Sequence, residues 1–463
     1  MINDTIAAVS TAYGRGGIAV IRISGEGAHK IADMMFRPAS GKRITEIKPN
    51  ECVYGDIIKG GVRIDDGMCT VFSAPHSYTG EDVAEISCHG GIIVTEKVLE
   101  AAFECGARQA GAGEFTRRAF INGKLSLSQA EAVGMLIDAE SEEQMWLASS
   151  QEKGTMTRRV DSLYEKLKTI VTGVYANVDF PDEDLAELSE SEVLEELYSI
   201  EKELCDLKSS YRVGKAVCEG IKTVIVGKPN TGKSSLLNRL LGRERAIVTD
   251  IAGTTRDTIE ESIVCGRVML RLCDTAGIRE SNDAVERIGV ERSLKMMGEA
   301  ELILAVFDLS RKIDSEDEDI IKKLSPLGCP KIAVLNKSDM ETEFDKNCLS
   351  ECGFTQIVEI SAAAEDDAVS GVKNLKEIIE KLYIDGEIDY NSYAVITNAR
   401  QNASVTRALD YVKNAIVTLK QGDTSDMAGF DLEAALSELS ELDGRRVTEE
   451  IVDGIFHRFC VGK

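Results

Sequence analysis

This 463-residue sequence predicts a multidomain α/β protein. Its parts are an N-terminal α+β block, a helical domain in two segments, and a P-loop nucleotide-binding domain inserted between those segments. Three observations carry this reading. Lys222 to Leu241 runs through an apolar strand, a glycine loop and an amphipathic helix, in that order. Hydrophobic spacing changes from strand-like to helical after about residue 122, and helical spacing returns late in the chain. The expected domains are therefore 1–122, 123–215, 216–382 and 383–463.

In the first block, Asp4 to Val9 leads to the turn Gly14-Arg15-Gly16-Gly17 and then to the apolar run Ile18 to Ser24. Alternation places Arg22 on one face with Ile18 and Val20. A guanidinium there needs a partner, either a structural carboxylate or an anionic ligand. Ser77 to Gly91 is a second glycine-punctuated region, in which His89 is either catalytic or a turn histidine bonded to backbone. Past Gly113-Glu114-Phe115-Thr116-Arg117-Arg118 the period becomes helical, with Ser128-x-x-Glu131 as an expected capping box and Val133, Leu136 and Ile137 as an apolar stripe. Helix is expected to about Asn177, a break at Asp179-Phe180-Pro181-Asp182-Glu183-Asp184, and an acidic helix to about Tyr211. Pro181 and several glycines interrupt any heptad and so argue against a long coiled coil.

The inserted domain holds the clearest chemistry. Val224 to Val226 reads as a buried strand, Gly227-x-x-x-x-Gly232-Lys233-Ser234 as a phosphate-binding loop, and Leu236, Leu237, Leu240 and Leu241 as the following helix, ended by Gly242. Glycines let backbone N–H groups close around a phosphate, Lys233 reaches the outer phosphates and the Ser234 hydroxyl suits magnesium. Val268 to Cys273 is a strand ending in Asp274-Thr275-Ala276-Gly277, where a magnesium-facing Asp and a γ-phosphate-sensing Gly belong. Leu302 to Phe307 and Ile332 to Leu335 are further strands, the second ending in Asn336-Lys337-Ser338-Asp339. A carboxylate at Asp339 accepts two hydrogen bonds from guanine N–H groups and none from adenine, each charge-assisted bond contributing about 1.5–3 kcal/mol. Ile357 to Ile360 then leads to Ser361-Ala362-Ala363, where a backbone N–H can meet the guanine oxygen. Together these specify a Ras-like P-loop GTPase domain.

Helical character is expected again from about Ser392. In the last helix Thr448 is the expected cap, Glu449, Glu450 and Asp453 suit the positive end, and His457 and Arg458 suit the negative end. Ile451, Val452, Ile455, Phe456 and Phe459 share a face that docks the helix and delivers Cys460-Val461-Gly462-Lys463 to a defined place. The alternative is a reduced cysteine beside an unattached lysine.

The net charge of −25 argues against a surface coated for nucleic acid, so any RNA contact must use a local basic patch or a partner's surface. Twelve cysteines with no Cys-x-x-Cys pair, and only four histidines, read as reduced, mostly buried thiols rather than disulfides or a zinc site. A basic segment followed by an apolar core is missing at the N-terminus, and apolar runs stay short of membrane-spanning length. The expectation is a cytoplasmic protein.

Gly14-Arg-Gly-Gly-Ile-Ala-Val-Ile-Arg-Ile-Ser24, Tyr78-Thr-Gly-Glu-Asp82, His89-Gly-Gly91, Gly113-Glu-Phe-Thr116, the Asp179-Phe-Pro181 break, the inserted GTPase and the closing Cys-Val-Gly-Lys together resemble the MnmE (TrmE) family of bacterial and organellar tRNA-modification GTPases, over essentially the whole chain. Only Val461 departs from the tail pattern, where the family more often has isoleucine. The resemblance implies a homodimer joined through N-terminal domains that each bind formyl- or methylene-tetrahydrofolate. It also implies a complex with the flavoprotein MnmG, whose FAD belongs to the partner, acting on the wobble uridine of certain tRNAs. Residues that would contact folate are Arg22, Glu81, Lys124 and Lys463, with Cys460 near the donor as nucleophile, proton donor or packing residue.

For GTP the resemblance implies Asn230, Thr231, Gly232, Lys233, Ser234 and Ser235 in the loop. It adds Thr249, Asp250, Ile251, Ala252, Gly253, Thr254 and Thr255 in the first switch, and Asp274, Thr275, Ala276 and Gly277 in the second. Asn336, Lys337, Ser338, Asp339, Ser361 and Ala362 surround the base. Magnesium would lie on Ser234 and Thr255, and potassium on Asn230, Thr249, Ile251 and Thr254. Ile278 stands where Ras-like enzymes place a water-orienting glutamine, which it cannot replace. Glu286 resembles the family's water-orienting acid, acting through a second water with Arg279 ordering the switch; read from its neighbours alone, Glu286 is a helix-surface carboxylate. The alternative function is a ribosome-assembly or signalling GTPase, which is expected to carry a basic RNA-binding module that this acidic chain lacks.

Overall fold

The computed structural model describes residues 4–179, 190–241, 261–272, 297–349, 352–364, 370–384, 394–421, 425–457 and 459–463. They form two compact units. One comprises Met1–Asp138, Ala148–Glu201 and Arg407–Lys463; the other comprises Ala139–Leu147 and Lys202–Thr406.

The first unit opens with β1 (Ile6–Val9), β2 (Ile18–Ser24), α1 (Ala28–Met35), β3 (Phe36–Pro38), β4 (Cys52–Lys59), β5 (Val62–Phe72), β6 (Val83–His89), α2 (Ile92–Glu104), β7 (Arg108–Gln109) and α3 (Glu114–Ile121). The seven strands make one sheet in the order β3-β4-β5-β6-β2-β1-β7, with β1 and β7 parallel and the other pairs antiparallel. Alternation along β2 sends Ala19, Ile21 and Ile23 into a core with Ile31 and Met35 of α1 and Val98 and Ala102 of α2, leaving Arg22 on the other face. The block is therefore α+β, as expected, but its first two helices were not located in the sequence. α1 and α2 carry their buried residues at helical spacing, which short apolar runs do not separate from strand.

α4 (Leu127–Ile137), α5 (Glu142–Glu152), α6 (Thr155–Asp179) and α7 (Glu190–Cys218) follow. Two expectations fail at α4. Its cap is Ser126, whose hydroxyl accepts from the Gln129 N–H at 3.2 Å while the Gln129 side chain accepts from the Ser126 N–H at 2.9 Å; Ser128 is inside the helix, buried, and donates to the Leu442 carbonyl at 3.3 Å. The expected stripe is also displaced. Leu136 and Ile137 are exposed, and Leu127, Ser128, Ala130 and Ala132 face the core. Two capping boxes compete within three residues, and burial of Leu127 selects the earlier one. α7 runs past Tyr211 to Cys218, because Ala216 and Val217 continue the apolar pattern into the core of the second unit. The Pro181 break and Ser392 lie outside the described residues.

β8 (Ile221–Val226), α8 (Lys233–Leu241), β9 (Glu261–Cys265), β10 (Val268–Leu272), β11 (Leu302–Asp308), α9 (Ser315–Leu324), β12 (Lys331–Asn336), β13 (Gln356–Glu359) and α10 (Val372–Tyr383) build the nucleotide-binding domain. Its sheet has the order β13-β12-β11-β8-β10-β9, parallel except for β9. All seven β11 residues are buried, as expected for a central parallel strand covered on both faces. The loops after β8, β11 and β12 leave from one edge, the carboxyl ends of the strands, where open α/β sheets bind ligands.

α11 (Ala399–Lys420), α12 (Ser425–Asp443) and α13 (Glu449–Phe456) complete the chain. Thr448 caps α13, its hydroxyl accepting from the Ile451 N–H, and Val452 and Phe456 are buried with Phe120 and Phe459 packed beside them. His457 sits just past the helix end, and Arg458 lies outside the described residues.

Candidate functional site

In the second unit the phosphate loop is held closed by its own chain. Thr231 is buried, and its hydroxyl donates to the Lys228 carbonyl at 2.9 Å. Gly227 has φ +153, and a Cβ there would lie 2.4 Å from the Val306 carbonyl oxygen. Gly232 has φ +94, and a Cβ there would meet Asn336 Nδ2 at 2.0 Å. Glycine is thus required at both ends of the loop. Asn230, exposed at the turn, has φ +64, a left-handed conformation that Asn tolerates better than most residues. Ser234 and Ser235 occupy the exposed first turn of α8. Lys233 Nζ donates to the carbonyls of Gly227 (2.8 Å) and Lys228 (2.7 Å), and burial pushes its ammonium below the usual lysine range.

Asn336 ties the loop to the base-binding segments. Its Nδ2 donates to the Thr231 carbonyl at 2.8 Å, and its Oδ1 accepts from the Ala362 N–H at 2.9 Å. The buried Ser361 hydroxyl donates to Asp339 Oδ1, the Ser338 N–H donates to the Ile360 carbonyl at 3.0 Å, and Asp339 is otherwise at the exposed edge. Lys337, at φ +67, reaches Asp308 Oδ2 at 2.6 Å. Burial pushes the Asp308 carboxyl up, but Lys337 and Ser310 outweigh it and hold the group below the usual carboxylate range. The structure therefore brings Asn230 to Ser235, Asn336 to Asp339 and Ser361-Ala362 to one sheet edge. Thr249, Asp250, Ile251, Ala252, Gly253, Thr254, Thr255, Asp274, Thr275, Ala276, Gly277, Ile278, Arg279 and Glu286 lie outside the described residues. Among the described residues there is no cluster of three His, Cys, Asp or Glu able to hold a metal.

Sequence reasoning missed Asp308 and also Lys228, which is 4% exposed and lies 2.7 Å from Asp317 and 2.5 Å from Asp314. The i,i+3 spacing of the two carboxylates was visible, but not the loop lysine facing them.

In the first unit, α3 gathers the second set. Arg22 donates through Nε to Glu85 Oε1 at 2.8 Å, and its guanidinium lies 5.1 Å from the Tyr78 ring centre and 5.5 Å from that of Phe115. Its Nη1 is buried without a hydrogen-bond partner. Tyr78 in turn bonds Thr116 of α3 at 2.9 Å. Glu81 accepts from Ser24 Oγ at 2.8 Å and from Arg118 Nη1 at 3.2 and 3.3 Å. Lys124, just past α3, donates to the Pro75 carbonyl at 3.0 Å, with its stem against Gly80. The Cys460–Lys463 segment docks at the α3 N-terminus. The Gly113 N–H donates to the Cys460 carbonyl (3.3 Å), the Phe115 N–H to the Lys463 carbonyl (3.0 Å), and Ser10 Oγ to the Gly462 carbonyl (3.0 Å). Cys460 is exposed. Arg22, Glu81, Lys124, Cys460 and Lys463 thus all attach to one short helix or its flanks, from positions up to 441 residues apart in sequence.

His89 is exposed and bonds Asp65 through both its N–H (2.8 Å) and Nδ1 (2.8 Å), so its partner is a carboxylate rather than the backbone that a turn histidine usually finds. The Asp65 carboxylate raises its pKa. Eleven cysteines among the described residues are free thiols. No helix among the described residues is long and apolar enough to cross a membrane.

The family model described as "GTP-binding protein TrmE N-terminus" matches residues 5–124, and the one described as "MnmE helical domain" matches residues 127–460. The tRNA modification GTPase MnmE of Clostridioides difficile is 42% identical over 463 residues, covering 100% of both chains. That of Alkaliphilus metalliredigens is 39% identical over 465 residues, again covering 100% of both. Among solved structures, Aquifex aeolicus Era bound to GDP and aluminium fluoride overlaps 41% of this chain and 66% of its own at 30% identity with a TM-score of 0.27, an overlap too partial to argue from. Matched from end to end by whole-length relatives and by models of both its N-terminal and helical parts, with the phosphate loop and the guanine-type segments on one sheet edge, the chain belongs to the MnmE (TrmE) family of tRNA modification GTPases.

Proposed function

We propose that this chain hydrolyses GTP to drive a domain motion that enables modification of the wobble uridine of certain tRNAs. With an MnmG-type flavoprotein carrying FAD, it adds a carboxymethylaminomethyl or aminomethyl group whose carbon comes from formyl- or methylene-tetrahydrofolate. The observation that carries the reading is the convergence on α3 of Arg22, Glu81, Lys124 and the docked Cys460–Lys463 segment. Cations at Arg22, Lys124 and Lys463 suit the glutamate tail of a folate, and the Glu81 carboxylate suits the N–H groups of a pterin. Cys460 stands beside that site. The chain acts as a cytoplasmic homodimer joined through its N-terminal domains.

At the nucleotide, backbone N–H groups of the loop and the α8 N-terminus receive the phosphates. Lys233 exchanges two carbonyl partners for phosphate oxygens, whose negative charge favours the ammonium that burial disfavours. Asp339, steadied by Ser361, accepts the guanine N–H groups. Ser234 and Thr255 offer the hard oxygen donors that magnesium prefers. Asn230, Thr249, Ile251 and Thr254 would hold potassium, which when bound supplies positive charge opposite the transferred phosphate. Glu286 orients water through a second water, and Arg279 orders the switch.

Mass spectrometry of wobble nucleosides from cells lacking this chain tests the proposal: loss of the modified uridine is expected, and unchanged nucleosides overturn it. Turnover at matched ionic strength in potassium and sodium tests the cation. Equal rates reject a potassium site while leaving GTP hydrolysis standing.

A further inference from the structure

Arg118 is the largest fully buried side chain among the described residues, 2% exposed, and sequence reasoning gave it no role. Its guanidinium is held on three sides. Nη2 donates to Asp4 Oδ1 at 2.7 Å and Glu114 Oε1 at 3.0 Å, and Nη1 donates to the Asp4 carbonyl at 2.9 Å. Only after these does Nη1 reach Glu81, at 3.2 and 3.3 Å to its two oxygens. Arg108 joins the cluster, bonding Asp4 and, with two nitrogens, Glu114 at 2.6 and 2.9 Å.

Two guanidiniums thus face three carboxylates, and the partners are unevenly shared. Asp4 has both arginines. Glu114 has both arginines and the Gly111 N–H at 2.8 Å. Glu81 has only one long, divided bond from Arg118 and the Ser24 hydroxyl. The surplus negative charge therefore rests on Glu81, whose side chain is 19% exposed and retains acceptor capacity. Because Asp4 and Glu114 pin the guanidinium, it cannot turn to neutralise Glu81 more closely.

We propose that Arg118 is a positioning residue: it fixes the only partly bonded Glu81 carboxylate so that the free acceptor positions meet the adjacent N–H donors of a pterin ring. This rests on the folate reading above and names how that site reads the heterocycle rather than the glutamate tail. A lysine offers a single point charge and cannot hold Asp4, Glu114 and Glu81 at once.

Calorimetry on the full-length chain with 5-formyltetrahydrofolate tests it, with 4-aminobenzoylglutamate, which lacks the pterin, as the comparison probe. Glu81→Gln is expected to weaken 5-formyltetrahydrofolate about ten- to hundredfold, the worth of a charge-assisted hydrogen bond. Arg118→Lys is expected to weaken it about tenfold alone but less than about twofold in the Glu81→Gln background, because it acts through Glu81. Asp4→Asn, which loosens the anchor without touching Glu81, is a milder second variant expected to show the same dependence. Binding of 4-aminobenzoylglutamate and of GTP should not change in any of them. If the losses from Arg118→Lys and Asp4→Asn are the same with and without Glu81, the positioning role is wrong while the folate site stands. If Glu81→Gln binds 5-formyltetrahydrofolate normally, Glu81 does not read the pterin and this inference is wrong while the folate site stands; if the unaltered chain binds none, the folate reading fails and takes this inference with it.

Discussion

Gly462→Ala should detach the Cys460–Lys463 segment without unfolding the protein. Gly462 is buried with φ +107, and a Cβ there would lie 2.1 Å from the Val9 carbonyl oxygen and 3.0 Å from its carbon. Val9 cannot retreat, because it ends β1, paired in register with Ile21, and the next residue is fixed by the Ser10 N–H bond to Val20 at 2.8 Å. What holds the segment is a small number of hydrogen bonds: Gly113 to Cys460, Phe115 to Lys463 and Ser10 to Gly462. At about 0.5–1.5 kcal/mol each, they contribute about 1.5–4.5 kcal/mol together. A side chain at positive φ costs about 1–2 kcal/mol before any clash, and the 2.1 Å approach to backbone adds more. The penalty matches or exceeds the gain, so the docked state is lost. Hydrogen exchange should read this at the Gly113 and Phe115 amides, whose protection falls by about one to three orders of magnitude as about 1.5–4.5 kcal/mol is removed. Folate affinity should drop with it and GTP affinity should not. Val461→Ala, at a side chain 49% exposed, is the control and should change little. Unaltered protection at Gly113 and Phe115 in Gly462→Ala would refute the reasoning.

Two further outcomes follow from other parts of the chain. Asp339→Asn should shift preference from GTP toward xanthosine triphosphate, since the amide offers a donor where the carboxylate only accepts; nucleotide competition measures it, and unchanged selectivity rejects Asp339 as the base reader. Asp443, buried at the end of α12, has its carboxyl pushed from 3.8 up to about 6 by burial, with Asp161 adding to the rise and Arg445, Ser126 and Thr157 only partly offsetting it. A carboxyl with a raised folded pKa makes the folded state bind more protons than the unfolded state between about pH 4 and 6. Its contribution is therefore best at acid pH, falls through that window and stays unfavourable by about 2–3 kcal/mol above it. Asp443→Asn should raise stability at pH 8 and flatten the fall between pH 4 and 6, read by urea unfolding across pH; a parallel, unshifted pH profile contradicts it.

Local chemistry made the nucleotide-binding strands legible. β10, β11 and β12 lie within a residue of their expected positions, and β8 ends where expected but begins three residues earlier, because a strand buried on both faces is a continuous apolar run and the glycine loop punctuates it. β2 was readable over its full length, Ile18–Ser24, and so was the Thr448 cap, because both are set by neighbours in sequence. At α4 the same logic failed: Ser126-x-x-Gln129 and Ser128-x-x-Glu131 satisfy one capping rule equally, and only the burial of Leu127 and Ser128 distinguishes them.

Which residues meet across the sheet was beyond the sequence. Nothing local to Arg22 names Glu85 as its partner; that depends on β2 and β6 pairing in a register that sets Arg22 opposite Glu85. Glu114 and Arg118 are visible as an i,i+4 pair, but their joining to Asp4 and Glu81 exists only once α3 packs over β1 and the Thr79–Glu81 turn. The amino-acid sequence by itself determined the family, the Asn336-Lys-Ser-Asp339 and glycine-loop motifs and the presence of a closing Cys-Val-Gly-Lys, because motifs are short and their chemistry is local. Only the tertiary structure decided that this segment, Arg22, Glu81 and Lys124 share the neighbourhood of one helix, because long-range pairing and the close approach of Gly462 to Val9 are properties of packed backbone, not of sequence spacing.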